Sequence, residues 1–181
     1  TETTGLDPNS DRLTEIGAVF VENGKINEEK KFGTFVNPGR PIPARVVELT
    51  GINDAMVADA PGPEEAIRQF KEFCGDHILV AHNASSFDML FIRRAGERAG
   101  VDFSNTYIDT LPMGQALYPG LHNYKLDTIN KHLEIPPFNH HRAVDDAGAT
   151  AEIFVRFVEM LEEREIFTLE QVNRYGDRNI N

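Results

Sequence analysis

Leu13-Thr14-Glu15-Ile16-Gly17-Ala18-Val19-Phe20-Val21, followed by Glu22 and the pair Asn23-Gly24, decides the kind of fold. Ile16, Ala18 and Phe20 alternate with Gly17, Val19 and Val21, the period-two pattern of a strand with two distinct faces. Asn-Gly tolerates positive φ at both positions and closes a two-residue hairpin. A returning strand is therefore expected over residues 25–36. The text then changes character. Residues 37–43 hold three prolines and a glycine, which block helix and ladder alike.

Short helices are expected over 44–49 and 54–58. An amphipathic helix is expected over 63–73, with Pro63 in its first turn and Ala66, Ile67, Phe70 and Phe73 on one face. The apolar run 77–81 reads as a buried strand of the parallel kind. A helix over 86–99, a strand at 107–109, and helices over 111–117, 126–132 and 143–163 follow. A last turn, capped by Thr168, is expected over 168–174. A hairpin followed by alternating strands and helices predicts an α/β fold, a mixed sheet with helices on both faces.

Composition sets the bounds. With 181 residues, 40% of them hydrophobic, the chain reads as one domain (1–181) able to bury a core without staples. The longest apolar runs are far shorter than a membrane span, so no membrane partner is expected. The single cysteine, Cys74, excludes an internal disulfide and suits a reducing, cytoplasmic compartment; it is expected to be a small buried hydrophobe. A net charge of −11 argues against holding long nucleic acid by bulk electrostatics. The chain begins with threonine, inside a motif, and is read as a fragment of something longer.

Three separated pieces carry chemistry: Thr1-Glu2-Thr3-Thr4-Gly5, His82-Asn83-Ala84-Ser85-Ser86-Phe87-Asp88, and His141-Arg142-Ala143-Val144-Asp145-Asp146. A set of three carboxylates and a histidine, near strand ends and helix starts, can be drawn from them. Hard divalent cations take oxygen ligands, and two of them about 3.5–4 Å apart neutralise both the attacked phosphate and the leaving oxygen of a phosphodiester. A histidine can take the proton of the attacking water near neutral pH. Each piece also has a plain structural reading. Glu2 could be a frayed terminal residue, and Ser85 with Asp88 three residues later is a helix N-cap pattern. His140 and His141 could be a solvated pair.

Spacing alone pairs His140 with Asp145 as well as His141 with Asp146. The following helix arbitrates. Ala143, Ala147, Ala151, Phe154, Val158 and Leu161 fall on one face at about 100° per residue, with Asp146 at its edge and Asp145 pointing away. Asp146 is therefore the better ligand, and His141 its partner.

Together the three pieces resemble the exonuclease motifs of the DEDDh 3′→5′ exonucleases, the DnaQ-like proofreading family, and within it the exonuclease domain of PolC-type DNA polymerase III. The family's first motif reads Asp-x-Glu-Thr-Thr-Gly at the end of a central strand. Here the aspartate would fall immediately before Thr1. The second motif reads His-Asn-x-x-Phe-Asp, whereas this chain carries one extra residue, a second serine, placed at a loop-to-helix junction that can absorb it. The resemblance implies a ribonuclease H-like fold, a mixed five-stranded sheet flanked by helices with its first strand largely missing.

It also implies two Mg²⁺ or Mn²⁺ ions held by Glu2, Asp88 and Asp146, with His141 as base. Thr3, Thr4, Leu6, Leu49 and Thr50 would line the place of the terminal nucleotide, and Asn83 and Phe87 would contact phosphate and pack beneath the site. The implied reaction releases 5′-mononucleotides from a DNA 3′ end, as proofreading beside a replicative polymerase in the bacterial cytoplasm. The same chemistry on RNA, and an inactive interaction module that keeps the fold, are the competing readings.

Overall fold

The structure is a computed structural model that describes residues 1–136 and 142–180, with side chains described through Tyr175. The hairpin forms as its alternation predicts: β2 (Leu13–Glu22) pairs antiparallel with β3 (Lys25–Phe35), and Asn23 and Gly24 both take positive φ in the turn. A short β1 (Glu2–Thr3) adds to the other edge of β2, with Glu2 opposite Glu15 and Thr3 opposite Leu13. A parallel pair follows, β4 (Leu79–Ala81) beside β5 (Tyr107–Asp109).

Helices α1 (Ala44–Thr50), α2 (Asp54–Val57) and α3 (Pro63–Cys74) lie between the hairpin and β4. Helix α4 (Asp88–Ala99) connects β4 to β5, and α5 (Thr110–Leu117), α6 (Leu126–His132), α7 (Ala143–Glu163) and α8 (Leu169–Ile180) complete the chain. Helix α8 is longer than the single turn expected; Thr168 caps its start by accepting the Gln171 N–H at 3.2 Å.

Five strands are present, yet they do not form one continuous sheet. Among the described residues β1, β2 and β3 make one sheet and β4 and β5 another, with no ladder between them. Beyond Glu15, β2 is paired on the β3 side only, and β4 is paired only with β5. A groove of about 780 Å³ lies between these two edges. Residues 16–21 of β2, residues 78–82 around β4, and Phe70, Phe73, Phe87 and Phe154 line it. β1 pairs with β2 through two residues only.

Alternation in β2 is also incomplete, because Leu13, Thr14, Glu15 and Ile16 are all buried. Ile16 and Leu13 join Ile67, Phe70, Phe91 and Ile92 in a core between the hairpin and α3 and α4. The opposite face of β2 is covered by α7. At Gly17 the approach is so close that a Cβ would lie 2.2 Å from the backbone of Ala143 and Val144, so only glycine fits.

The second core gathers Ile108, Met113, Ile129, Ile153, Phe157 and Leu161. The predicted face of α7 is real but only partly filled. Ala143, Ala151 and Leu161 of that face are buried, Ala147 and Phe154 are half-buried along the groove, and Ile153 and Phe157 beside them are closed off as well.

Candidate active site

The first motif is held by a tight turn. Thr4 and Arg12 exchange bonds, Thr4 N–H to the Arg12 carbonyl at 2.8 Å and Arg12 N–H to the Thr4 hydroxyl at 3.0 Å. The Thr4 hydroxyl donates to Asp11 Oδ1 at 3.0 Å and the Thr3 hydroxyl to the Gly5 carbonyl at 2.5 Å. Both threonine side chains are buried. Their hydroxyls therefore shape the turn, and a ligand would meet this segment through its backbone. Leu6 and Leu49 differ: they are 79% and 83% exposed, large apolar side chains left in water. Thr50 closes the end of α1, donating to the Val46 carbonyl and accepting the Ile52 N–H.

Glu2 is not frayed. Its strand pairing places it opposite Glu15 on β2, and like charges on facing strand positions repel. Burial first, then the nearby charges of Asp146, Glu15 and Asp88, push its carboxyl up to about 7, although the Thr1 ammonium opposes them. That ammonium sits 2.8 Å from Asp88 Oδ1, which also accepts the Thr1 hydroxyl at 2.7 Å. Burial works against the ammonium's charge. Asp88 first, then Glu2 and Asp146, more than offset this and hold its pKa above the usual value.

Asp88, Asp146 and Thr1 line one end of the groove. Carboxylates from three distant segments thus feel one another. Among the described residues no three His, Cys, Asp or Glu side chains stand at metal-ligand spacing, so the group is gathered but not drawn into a closed cage.

Asp88 reaches its position differently from the cap expected by sequence. Helix α4 begins at Asp88, with Phe87 as its N-cap and no capping side chain. Ser85 instead turns to Asp109, giving both its N–H and its hydroxyl to Oδ2 at 3.1 and 2.9 Å. The extra serine is taken up in the turn before the helix. Asn83 holds a positive φ of 64° and gives its N–H to Asp109 Oδ1. Phe87 packs against Phe91, ring centroids 5.0 Å apart and planes tilted by 50°, and borders the groove.

His82 is structural: its Nε2 donates to the Tyr124 carbonyl at 2.7 Å, which leaves Nδ1 to accept the Thr110 hydroxyl at 2.9 Å. Burial pulls its pKa down, so the neutral ring persists at neutral pH.

Asp146 lies in the first turn of α7 and is among the main charges acting on Glu2, Glu15 and Thr1; Asp145 is not among them. His140 and His141, the expected base, lie outside the described residues. Glu15 escaped the sequence reading. It is 5% exposed, its Oε1 accepts the Ala143 N–H at 2.6 Å, and Arg142 lies 3.9 Å from its Oε2. It fastens the start of α7, and so Asp146, to the strand that pairs with Glu2. A charged residue among the apolar letters of a predicted core strand was the available signal.

Residues 1–154 match the family model whose description is Exonuclease, RNase_T. The chain belongs to this exonuclease family. Similar curated proteins are PolC-type DNA polymerases III. That of Caldanaerobacter subterraneus subsp. tengcongensis is 46% identical over 172 residues, 95% of this chain and 12% of the relative. Those of Thermotoga maritima and Bacillus subtilis are 41% and 42% identical over 97% and 95% of this chain. The exonuclease chain spans about an eighth of the length of these relatives.

Among solved structures, Exonuclease X in complex with 5′-overhanging duplex DNA matches with a TM-score of 0.73 and 28% identity, covering 97% of this chain and 96% of that one. Exonuclease I of E. coli with a dA16 oligonucleotide matches with a TM-score of 0.75 and 18% identity over 98% of this chain and 41% of its own. The fold of this exonuclease is therefore ribonuclease H-like, as the motifs implied. No helix among its described residues is long and apolar enough to cross a membrane.

Proposed function

We propose that this exonuclease domain removes nucleotides from the 3′ end of DNA, releasing 5′-mononucleotides, as the proofreading part of a longer bacterial replicative polymerase in the cytoplasm. One observation carries the reading: Asp88 and Asp146 line a single groove and both act on Glu2, and all three acids, from three distant segments, act on one ammonium. With Glu15 the group holds four carboxylates. Opposite them stand that ammonium and Arg142, the latter on Glu15. Burial and the neighbouring acids together push the Glu2 carboxyl up to about 7, and a bound cation would favour its charged form.

Two Mg²⁺ or Mn²⁺ ions would supply that charge, held by Glu2, Asp88 and Asp146, and would polarise the scissile phosphate and the attacking water. The hard oxygen donors fit such ions. The chain's own residues do the rest. His141, five residues before Asp146, takes the water's proton. The backbone of Thr3 and Thr4 and the exposed side chains of Leu6 and Leu49, with Thr50 behind them, seat the terminal nucleotide. Asn83 and Phe87 shape the phosphate side. Glu15 holds α7 so that Asp146 faces Glu2.

A second reading, a binding module without catalysis, draws on the lack of a preformed cage among the described residues. A 5′-labelled single-stranded DNA decides between them. Digestion with Mg²⁺ or Mn²⁺ should give a ladder shortening from the 3′ end, with 5′-mononucleotides as product. It should be faster than on matched RNA, and more active when the residues preceding Thr1 in the parent protein are restored. If the extended protein with Mn²⁺ shows no hydrolysis, the module reading stands. A strong preference for RNA replaces proofreading with exoribonuclease action.

A further inference from the structure

Four arginines from three parts of the chain converge on one loop, although the protein carries a net charge of −11. Arg12 gives Nη1 to the Ser10 and Asp11 carbonyls, both at 3.3 Å, and Arg40 gives Nη1 to the Ser10 carbonyl at 2.7 Å. From α4, Arg98 reaches the Pro8 and Asn9 carbonyls at 3.4 and 2.8 Å, and Arg94 reaches Asn9 Oδ1 at 2.6 Å. Arg40, Arg94 and Arg98 are exposed.

The loop beneath them is rigid. The carboxylate of Asp7 accepts the Asn9 N–H and the Ser10 hydroxyl, and Asp11 accepts the Asp7 N–H and the Thr4 hydroxyl. Both acids are thus engaged by the loop's own donors. Glu97, paired with Arg94 at 2.8 Å, is the acid that answers these cations directly. Carbonyls fix the direction of a guanidinium but do not cancel its charge, and a guanidinium has five N–H donors of which these bonds use one or two. Burial and the neighbouring Arg12, Arg94 and Arg40 lower the pKa of Arg98, so the four cations do feel one another.

The cluster is tied to the acidic site at both ends. Arg12 is bonded through its backbone to Thr4, and α4 starts at Asp88. Arg94 and Arg98 stand about 9 and 15 Å further along that helix axis. We propose that this arginine cluster is a binding site for the phosphodiester backbone of the strand whose 3′ end enters the acidic site, contacting phosphates and reading no bases. The proposal rests on the exonuclease reading above and adds where such a chain finds its positive charge. Like cations gathered on carbonyl acceptors, with Glu97 and the loop acids offsetting only part of their repulsion, cost Coulomb energy in the free protein, and a row of phosphates reduces that cost.

The test is equilibrium binding of a 5′-fluorescein single-stranded 15-mer to the 181-residue chain in EDTA, from 25 to 200 mM salt. Each lost phosphate contact should reduce the slope of log K against log salt by about 0.7. The R94Q/R98Q double variant should bind about tenfold more weakly at low salt, with a slope smaller by about 1.4. R40Q, outside the helix, should lose about 0.7. K30Q/K31Q, the same charge change on β3, should leave the slope unaltered.

Equal slopes in R94Q/R98Q and the parent, an equal loss in K30Q/K31Q, or no binding by the parent would each overturn the proposal. Equal displacement of the 15-mer by polyglutamate would also overturn it, in favour of an acidic protein partner. Failure of the exonuclease reading appears separately, as absent hydrolysis with metal while the salt slopes still obey the arginines.

Discussion

Asp109 and Asp88 both stand where a strand of the parallel pair gives way to a helix, yet their carboxylates have opposite surroundings. Asp109 ends β5 and caps α5. Its Oδ1 accepts the Asn83 and Leu111 N–H groups, and its Oδ2 accepts the N–H and hydroxyl of Ser85. Four donors from two loops converge on it at 8% exposure. Asp88 is answered by the Thr1 ammonium and hydroxyl, both on Oδ1; it lines the groove with Asp146, and both act on Glu2. A buried acid whose lone pairs are all taken by fixed donors is a structural hub. Acids gathered within reach of one another are, on the proposal above, the group that would take a cation. The same residue type at the same kind of junction does either job, and the partners decide which.

The largest effect should come from the cation-seeking group. Asp146→Asn keeps the shape of α7 and removes one charge from the set around Glu2. Hydrolysis of DNA 3′ ends should fall by a factor of about 100 or more, roughly 3 kcal/mol of transition-state stabilisation. Thermal stability without metal should hold or rise, because a repulsion at Glu2 is relieved. Rates and melting curves in whichever form of the domain hydrolyses DNA check both halves. A loss of stability without a loss of rate would make Asp146 a member of the Asp109 type.

Asp109→Asn should do the reverse. The amide nitrogen cannot accept, so two of the four donors, either the Asn83 and Leu111 N–H groups or the Ser85 pair, lose their partner while still buried. Unsatisfied buried donors cost about 1–3 kcal/mol each. A loss of about 2–4 kcal/mol, or roughly 5–15 °C in melting temperature for a domain of this size, is expected by calorimetry. The folded fraction should retain metal-dependent activity within a few-fold. Asp109→Asn with unchanged melting would show that the four bonds carry no net stability.

Glu2 sharpens the contrast through pH. Its carboxyl is pushed up to about 7 in the folded chain from an ordinary 4.5. As pH rises between those values the unfolded chain gives up its proton first, so stability falls across that window. The full cost, reached above pH 7, is about 2–3 kcal/mol at most. Without metal, Glu2→Gln should melt with the parent at pH 4 and above it at pH 8. Adding Mg²⁺ or Mn²⁺ should stabilise the parent and leave Glu2→Gln behind. A melting difference that stays flat from pH 4 to pH 8 would place Glu2 outside the charged group.

Much of this was legible in the letters. The hairpin, the strand at Tyr107–Asp109 and helices Leu126–His132 and Ala143–Glu163 follow from period, turn chemistry and caps, which are local. The two-sheet arrangement was not legible, because pairing across the groove depends on how many residues β1 offers and not on any property of β2 or β4. Asp109 caps α5, a local role, but its bonds to Asn83 and Ser85 join segments far apart in sequence. Ser85 was read as a cap for α4 and serves Asp109 instead, since a buried carboxylate outcompetes a helix end for a nearby donor. Glu15 was passed over because a strand pattern asks which residues are apolar, and its importance lies in the acid that interrupts it.

The phase of α7 is the finest point at which the comparison can break. Asp145 and Asp146 are neighbours in the first helical turn, rotated by about 100°, and both gain from the helix dipole by about 0.3–1 kcal/mol. Of the two, Asp146 is the one among the main charges at Glu2, Glu15 and Thr1. Asp145→Asn should therefore cost no more than the dipole share, a shift of about 1–4 °C, and leave kcat/KM within threefold of the parent. Asp145→Asn acting as strongly as Asp146→Asn would mean that both acids reach the metal-binding group. Asp145→Asn acting alone would turn α7 by one residue, and with it the choice of His141 over His140, because the spacing that pairs His141 with Asp146 pairs His140 with Asp145.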